Sequence, residues 1–228
     1  MLINRSWILT RIIKSVDVSG VNLDIYEGPV GVSCSGGADS SILLYNLMKH
    51  CEDKIYIFST GNNQRSRHNV AVATKVVERC IQLTGNSNIE HHISYCEVQS
   101  FETLFPKLRH YIENGIVKII YTGITENPPT DISDTFKLKI TETKRNPGVI
   151  KPFIVNGVAY TPWTNVDKRS IAKMYNEENL LEDLYSITRS CEYDPTSDYF
   201  EKMEDPGLGH CGECWWCEER EWAFGRLI

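Results

Sequence analysis

The sequence of 228 residues contains no run of about 18 apolar residues, so it offers no candidate membrane-spanning helix. Its opening stretch, MLINRSWILTRIIKS, is broken by Arg5, Arg11 and Lys14. That pattern fits neither a membrane span nor a secretory signal and leaves a cytoplasmic protein as the expectation. Positive charge is in short supply too: 24 Lys and Arg stand against 30 Asp and Glu, for a formal charge of −6 and a pI near 5.6. Such a balance provides no basic footprint, and direct nucleic-acid binding is not expected. Internal repeats and low-complexity segments are missing. The one glycine-rich turn that follows an expected strand, SCSGGADSS, is neither a GxxxxGKS/T loop nor a GxGxxG loop, which excludes two common phosphate-binding designs there.

Cysteine, by contrast, is plentiful. Of the eight, Cys34, Cys51, Cys80 and Cys96 are scattered and read as reduced, buried, small hydrophobes. Cys211, Cys214 and Cys217 form C-x2-C-x2-C, and Cys191 supplies a fourth thiolate upstream. Four thiolates suit a closed tetrahedral Zn²⁺ site that pins the tail to the rest of the chain, with an iron–sulfur cluster as the rival. His210 beside them reads as a bystander rather than a ligand.

From residue 30 onward, short β-branched runs alternate with helical patterns, the signature of an α/β fold with a doubly wound, mostly parallel sheet. Strands are expected at 30–34, 54–59, 89–96 and 117–121, and helices after 41, over 70–83, 101–114 and 168–178. Residues 125–150 read as a long functional loop. Three units follow: an N-terminal extension over 1–29 holding a hairpin or an edge strand, a nucleotide-binding domain over 30–185, and a zinc-binding segment over 186–228. Open sheets of this kind bind ligands beyond the carboxyl ends of their strands. The polar stretches SCSGGADSS, STGNNQRSRHN and TGITENPPT should gather there.

The first of these stretches carries the chemistry. A strand ending in Ser35-Gly36-Gly37 and running into a helix leaves backbone N–H groups open to an anion, helped by the positive helix end and by the hydroxyls of Ser35 and Ser40. Asp39 would repel phosphate unless a cation such as Mg²⁺ sat between them. The plainer alternative is that Ser35 and Asp39 only cap a helix.

SGGADS is similar to the SGGxDS pyrophosphate loop of N-type ATP pyrophosphatases, which cleave ATP between the α and β phosphates. Over about residues 30–224 the chain resembles the 7-cyano-7-deazaguanine synthase family of the queuosine pathway. GNNQRSRHN resembles that family's GQRH segment, with Gln64, Arg65 and His68 as the nearest matches; TGI at 122–124 resembles its glycine turn. PWTNVDKRSI, SITRSC and HCGECWWCEEREWAF resemble its lysine-bearing helix start, its approach to the first zinc cysteine and its CGxCxxCxxR tail, with Arg220 at the arginine position. One family segment, SGYPDCR-like after the fourth strand, is replaced by ENPPTDISD, where Glu126 and Asp131 are the available carboxylates.

The resemblance implies an ATP-dependent ligase converting 7-carboxy-7-deazaguanine, through an acyl adenylate and ammonia, to the amide and then the nitrile. It implies that Asp39, Ser40 and Lys168 are catalytic: Asp39 holds Mg²⁺, Ser40 helps hold the pyrophosphate and Lys168 offsets phosphate charge. Ser33, Ser35, Gly36, Gly37, Ser59, Arg65 and Gly123 complete the expected ATP contacts. Trp215, Trp216 and Trp222 are expected to bury against the main domain rather than to stack on bases. Two alternatives stay open: the same adenylation with a protein or tRNA acceptor, and a non-catalytic nucleotide-binding module, against which the intact SGGADS speaks. A deazapurine carboxylate and ammonia are the expected partners; oligomeric state, a homodimer included, is open.

Overall fold

The computed structural model describes residues 11–62, 69–96, 106–128, 159–191, 209–212 and 214–227. Gln64, Arg65, His68 and Asp131, most of the 125–150 loop and the start of the helix expected at 101–114 lie outside them.

The chain first forms a hairpin, β1 (Ile12–Val18) and β2 (Val21–Tyr26), closed by Ser19 and Gly20, both at positive φ. Paired positive φ values give a turn whose twist matches the flanking strands. This hairpin is a sheet of its own, yet Leu23 and Ile25 are fully buried in the main core. Tyr121 Oη donates to Asp24 O at 2.8 Å and accepts from Tyr26 N at 3.0 Å, tying the hairpin to the main sheet.

The main sheet holds β3 (Val30–Ser33), β4 (Ile55–Asn62), β5 (Ile89–Cys96), β6 (Ile119–Tyr121) and β7 (Ala159–Tyr160), in the order β5-β4-β3-β6-β7. Each of the four pairings is parallel. Alternation along the strands explains why: Val30, Val32, Ile55, Ile57, Ile119 and Tyr121 face one core, while Phe58 and Ile120 face a second. A sheet apolar on both sides must be covered on both.

Helices α1 (Ala38–His50), α2 (Asn69–Thr84) and α4 (Lys168–Glu177) supply the larger core, and α3 (Pro106–Glu113) supplies Leu108 to the smaller one. α5 (Trp215–Phe224) packs on α4. The doubly wound parallel α/β sheet read from the sequence is therefore present. Strand order reverses between β3 and β6, which opens a crevice beyond their carboxyl ends. No helix among the described residues is long and apolar enough to cross a membrane.

Candidate active site and metal centre

The loop between β3 and α1 stands at that crevice, and its two glycines have separate tasks. Gly36 takes φ +83, and a Cβ there would sit 2.8 Å from Ala73 N and from Val72 Cγ1, so it lets the loop press against α2. Gly37 has ordinary φ (−74) and is the N-cap of α1, but it offers no side chain to bond the first-turn amides. Those N–H groups are left without a side-chain cap beside the crevice, at the positive end of a helix. Ser35 Oγ accepts from Gly37 N at 3.3 Å and lies 3.2 Å from Ser40 Oγ, which also receives Ser35 N at 3.2 Å. Neither Ser35 nor Asp39 caps the helix, so the plainer reading of the loop does not describe its bonds.

Beside the loop, Lys168 Nζ lies 3.0 Å from Asp39 Oδ2 and 3.1 Å from Glu219 Oε2. Lys168 is 2% exposed and Glu219 is fully buried. A buried ammonium is retained only where it is paired. Asp167 caps α4 by accepting from Ser170 N at 3.0 Å, which fixes the turn from which Lys168 projects. Asp39 Oδ1 is buried and has no hydrogen-bond partner among the described residues. A carboxylate oxygen only accepts, so this atom fits a cation such as Mg²⁺.

These groups surround a cavity of about 230 Å³ whose lining includes Ser35, Gly37, Asp39, Gly123 and Lys168. Arg189, Ser190 and Trp216 line it from the cysteine-bearing end of the chain. Gly123 lines the cavity for a reason the sequence does not display: a Cβ there would sit 2.8 Å from Ser40 N and 2.9 Å from Asp39 C. Its absent side chain lets the β6 end meet the first turn of α1.

Among the other expected nucleotide contacts, Ser40 lies behind the loop, bonded to Gly37 O at 3.2 Å. Ser33 and Ser59 do not line the cavity. Ser33 ends β3 on the Gly31 side of the strand, and Ser59 Oγ donates to Cys34 O at 2.7 Å and meets His91 Nε2 at 2.9 Å. Arg65 lies outside the described residues.

The four cysteines read as ligands come together. Cys191, Cys211, Cys214 and Cys217 place their sulfurs within 4.8 Å of one another. Individual separations are 3.4 Å (Cys214–Cys217), 3.8 Å (Cys214–Cys191) and 3.9 Å (Cys211–Cys217). A tetrahedron with Zn–S arms of about 2.3 Å has edges of about 3.8 Å, so the set fits one ion and is too tight to enclose an iron–sulfur cluster. Cys214 N donates to Cys211 Sγ at 3.3 Å, as a turn wrapped around a thiolate does.

As bare thiolates the cluster would be frustrated. Hydrogen bonding to Cys191 and then Cys217, with burial, raises the Cys214 pKa, and bonding to Cys191 helps push Cys217 up to about 12. Only a cation makes four thiolates compatible. His210 Nδ1 lies 3.9 Å from Cys217 Sγ, and burial holds its pKa down at about 4, so it stands by as a neutral ring.

The scattered Cys34, Cys51 and Cys80 are buried and free. Burial pushes the Cys34 thiol up to about 11, which keeps it unreactive.

Arg220 locks the cysteine-bearing tail to the site. Fully buried, it donates to Tyr185 O at 3.0 Å, Thr188 Oγ1 at 2.9 Å and Leu227 O at 3.0 Å. Its guanidinium stacks 3.8 Å from the Tyr185 ring centroid. Arg189 N in turn donates to Gly36 O at 3.0 Å, joining this segment to the glycine loop. Of the three tryptophans, Trp215 is buried, Trp222 lies under the Arg169 guanidinium at 4.5 Å and Trp216 reaches the cavity.

Sequence reasoning missed Arg189, Ser190 and Glu219. Arg189 and Ser190 adjoin the ligand Cys191 and could have been found from that adjacency. Glu219 carries no such mark, since Glu218 and Glu221 flank it on the same helix.

No protein-family model matches the sequence, and no curated protein does. Among solved structures, the chain is similar to an NH3-dependent NAD synthetase from Campylobacter jejuni subsp. jejuni NCTC 11168, at 14% identity and TM-score 0.42. That match covers 69% of this chain and 66% of the synthetase. An NMN synthetase from Francisella tularensis is similar at 12% identity and TM-score 0.42, over 89% of this chain and 79% of that one. Likeness at this level assigns no activity.

Proposed function

We propose that the protein is an ATP-dependent carbon–nitrogen ligase that adenylates a carboxylate and converts it with ammonia to the amide and then the nitrile, with 7-carboxy-7-deazaguanine as substrate. The observation that carries this reading is the meeting of uncapped α1 amides, the Asp39–Lys168 pair and an open cavity at one crevice.

In the proposed reaction the Gly37 amide and its neighbours hold the β and γ phosphates, with Ser40 keeping the loop in shape. Lys168 opposes the charge of the departing pyrophosphate, and such preorganised donors are worth most in a water-poor site. Asp39 and its free Oδ1 hold Mg²⁺, which when bound neutralises phosphate charge.

The substrate carboxylate oxygen attacks the α-phosphorus, the bond to the bridging oxygen breaks, and pyrophosphate leaves. Ammonia then displaces AMP from the acyl carbon and loses a proton to give the amide. A second adenylation on the amide oxygen, followed by loss of AMP and protons, gives the nitrile. The walls of the crevice hold the reacting atoms in line, which lowers the entropic part of the barrier. Zn²⁺ in the four-cysteine site is structural in this reading: it pins the segment bearing Arg189, Ser190 and Trp216 against the glycine loop.

The test is pyrophosphate release by zinc-loaded protein given Mg-ATP, ammonium and 7-carboxy-7-deazaguanine, with the base product read by mass. Wild type should yield the nitrile, and Asp39→Ala should slow release by about 100-fold or more. Pyrophosphate without the nitrile would keep the adenylation and move it to another acceptor, a protein or a tRNA, since ENPPTDISD stands where the resembled family has its SGYPDCR-like segment. No ATP turnover with any acceptor would sink the enzyme reading and leave a nucleotide-binding module.

A further inference from the structure

Glu219 belongs to no motif and does not line the cavity, yet it is fully buried with its Oε2 3.1 Å from Lys168 Nζ. Burying a carboxylate is costly, and a helix surface offers cheaper positions for glutamate. Two acidic groups therefore share one ammonium: Asp39 from α1 and Glu219 from α5, with Lys168 reaching between them from α4. Arg189, 2% exposed, is another cation at this cavity.

We propose that Glu219 is a positioning residue for Lys168, sharing the ammonium with Asp39 so that Lys168 and Asp39 both remain available to Mg-ATP. This rests on the adenylation reading above. An ammonium has three donors. Shared between two carboxylates, Lys168 commits one donor to each and keeps the third for phosphate.

Without the Glu219 charge, Lys168 falls to Asp39 alone. The pair then closes on itself, withdrawing the ammonium from phosphate and Asp39 from the cation together. The carboxylate comes from a helix whose N-cap is Cys214 and whose first turn contains Cys217, so the cysteine cluster also sets the position of Glu219. Through this contact the four-cysteine module helps set the charge balance of the site, beyond the lining it supplies through Arg189, Ser190 and Trp216.

A double-mutant cycle on Mg-ATP binding tests this, because a residue acting through Lys168 has no effect once Lys168 is gone. The observables are Kd for Mg-ATP by calorimetry, bound metal content and Tm, for wild type, Glu219→Gln, Lys168→Met and the double variant, all metal-loaded. Glu219→Gln keeps the shape and loses the charge. It should weaken binding about 10-fold with metal content and Tm retained, and change Kd by less than about 2-fold in the Lys168→Met background. Glu219→Asp, which restores the charge one methylene short, should lie between Gln and wild type, and serves for the same cycle if the Gln variant folds poorly.

Equal factors in both backgrounds, or weakening that tracks loss of metal, would overturn the role of Glu219 and leave the adenylation reading standing. A wild-type chain that does not bind Mg-ATP would overturn both.

Discussion

An alanine at position 36 would have to adopt φ +83 and place its Cβ 2.8 Å from the Ala73 backbone nitrogen. The left-handed conformation costs an L-residue about 1 to 2 kcal/mol, and the overpacking against α2 adds a similar amount. Gly36→Ala should therefore lower Tm by about 5 to 15 °C. At position 37 the backbone is ordinary and the nearest atom to an added Cβ is Ser35 Oγ at 3.4 Å, so Gly37→Ala should leave Tm within about 2 °C. Its methyl group would instead crowd the amides, raising Kd for Mg-ATP by about 10-fold. Calorimetry on both variants separates the two roles; an unchanged Kd for Gly37→Ala would remove the glycine loop as the phosphate cradle. Both glycines are visible in SGGADS, but their division of labour is not, because it depends on where α2 passes. Lys168 teaches the same point: the resemblance marks it as catalytic, but a lysine is seldom fully buried, and only the carboxylates of two other helices explain its burial.

Strand β5 forms one edge of the sheet and brings His91 against Ser59 of β4. Burial, with the neighbouring His92, lowers the His91 pKa to about 4. Between that value and the unfolded value of about 6.5, the unfolded chain binds the proton and the folded chain does not. The stability contributed by neutral His91 is thus complete above pH 6.5 and is lost as pH falls toward 4. Urea midpoints for wild type and His91→Gln should diverge at pH 7.5 and converge by about pH 4, while parallel profiles would show that His91 does not set this slope. Strands β3 and β5, and helices α2 and α4, were legible almost to the residue, because apolar alternation and helical spacing are local; β4 runs on to Asn62, β6 starts only at Ile119, and the two-residue β7 was not expected. Asn179, expected to close α4, does so in the left-handed conformation at φ 56. The hairpin at the N-terminus was legible only as one of two options, since its pairing partner is chosen by packing against Tyr121.

For the molecule as a whole, the four-cysteine cluster is a fastener between the last described segment and the candidate site. Cys191 and Cys217 bracket the site through Arg189, Ser190 and Glu219, while Arg220 clamps Tyr185, Thr188 and Leu227. Stripping the metal with a chelator should lower Tm and abolish Mg-ATP binding together, and adding Zn²⁺ should restore both. Because Zn²⁺ binds thiolates and a cysteine thiol is ordinarily protonated at pH 7, reloading at that pH should release protons, up to about four, measurable with a pH indicator in weak buffer. Stripped protein that keeps full Mg-ATP affinity would separate the centre from the site.

What the sequence determined by itself is whatever depends on neighbours along the chain: the strand and helix periods, the glycine loop running from strand into helix, and the C-x2-C-x2-C spacing. These are local constraints, and local physics reads them. Tertiary structure alone decided that Gly36 serves helix packing, that Gly123 meets the first turn of α1, and that Ser33 and Ser59 stand away from the cavity. It alone joined Asp39, Lys168 and Glu219, 180 residues apart from first to last, into one buried charge cluster. No period or spacing encodes that meeting, because it is set by how three helices cross over the sheet, and the cost of burying each charge is met only after they have crossed.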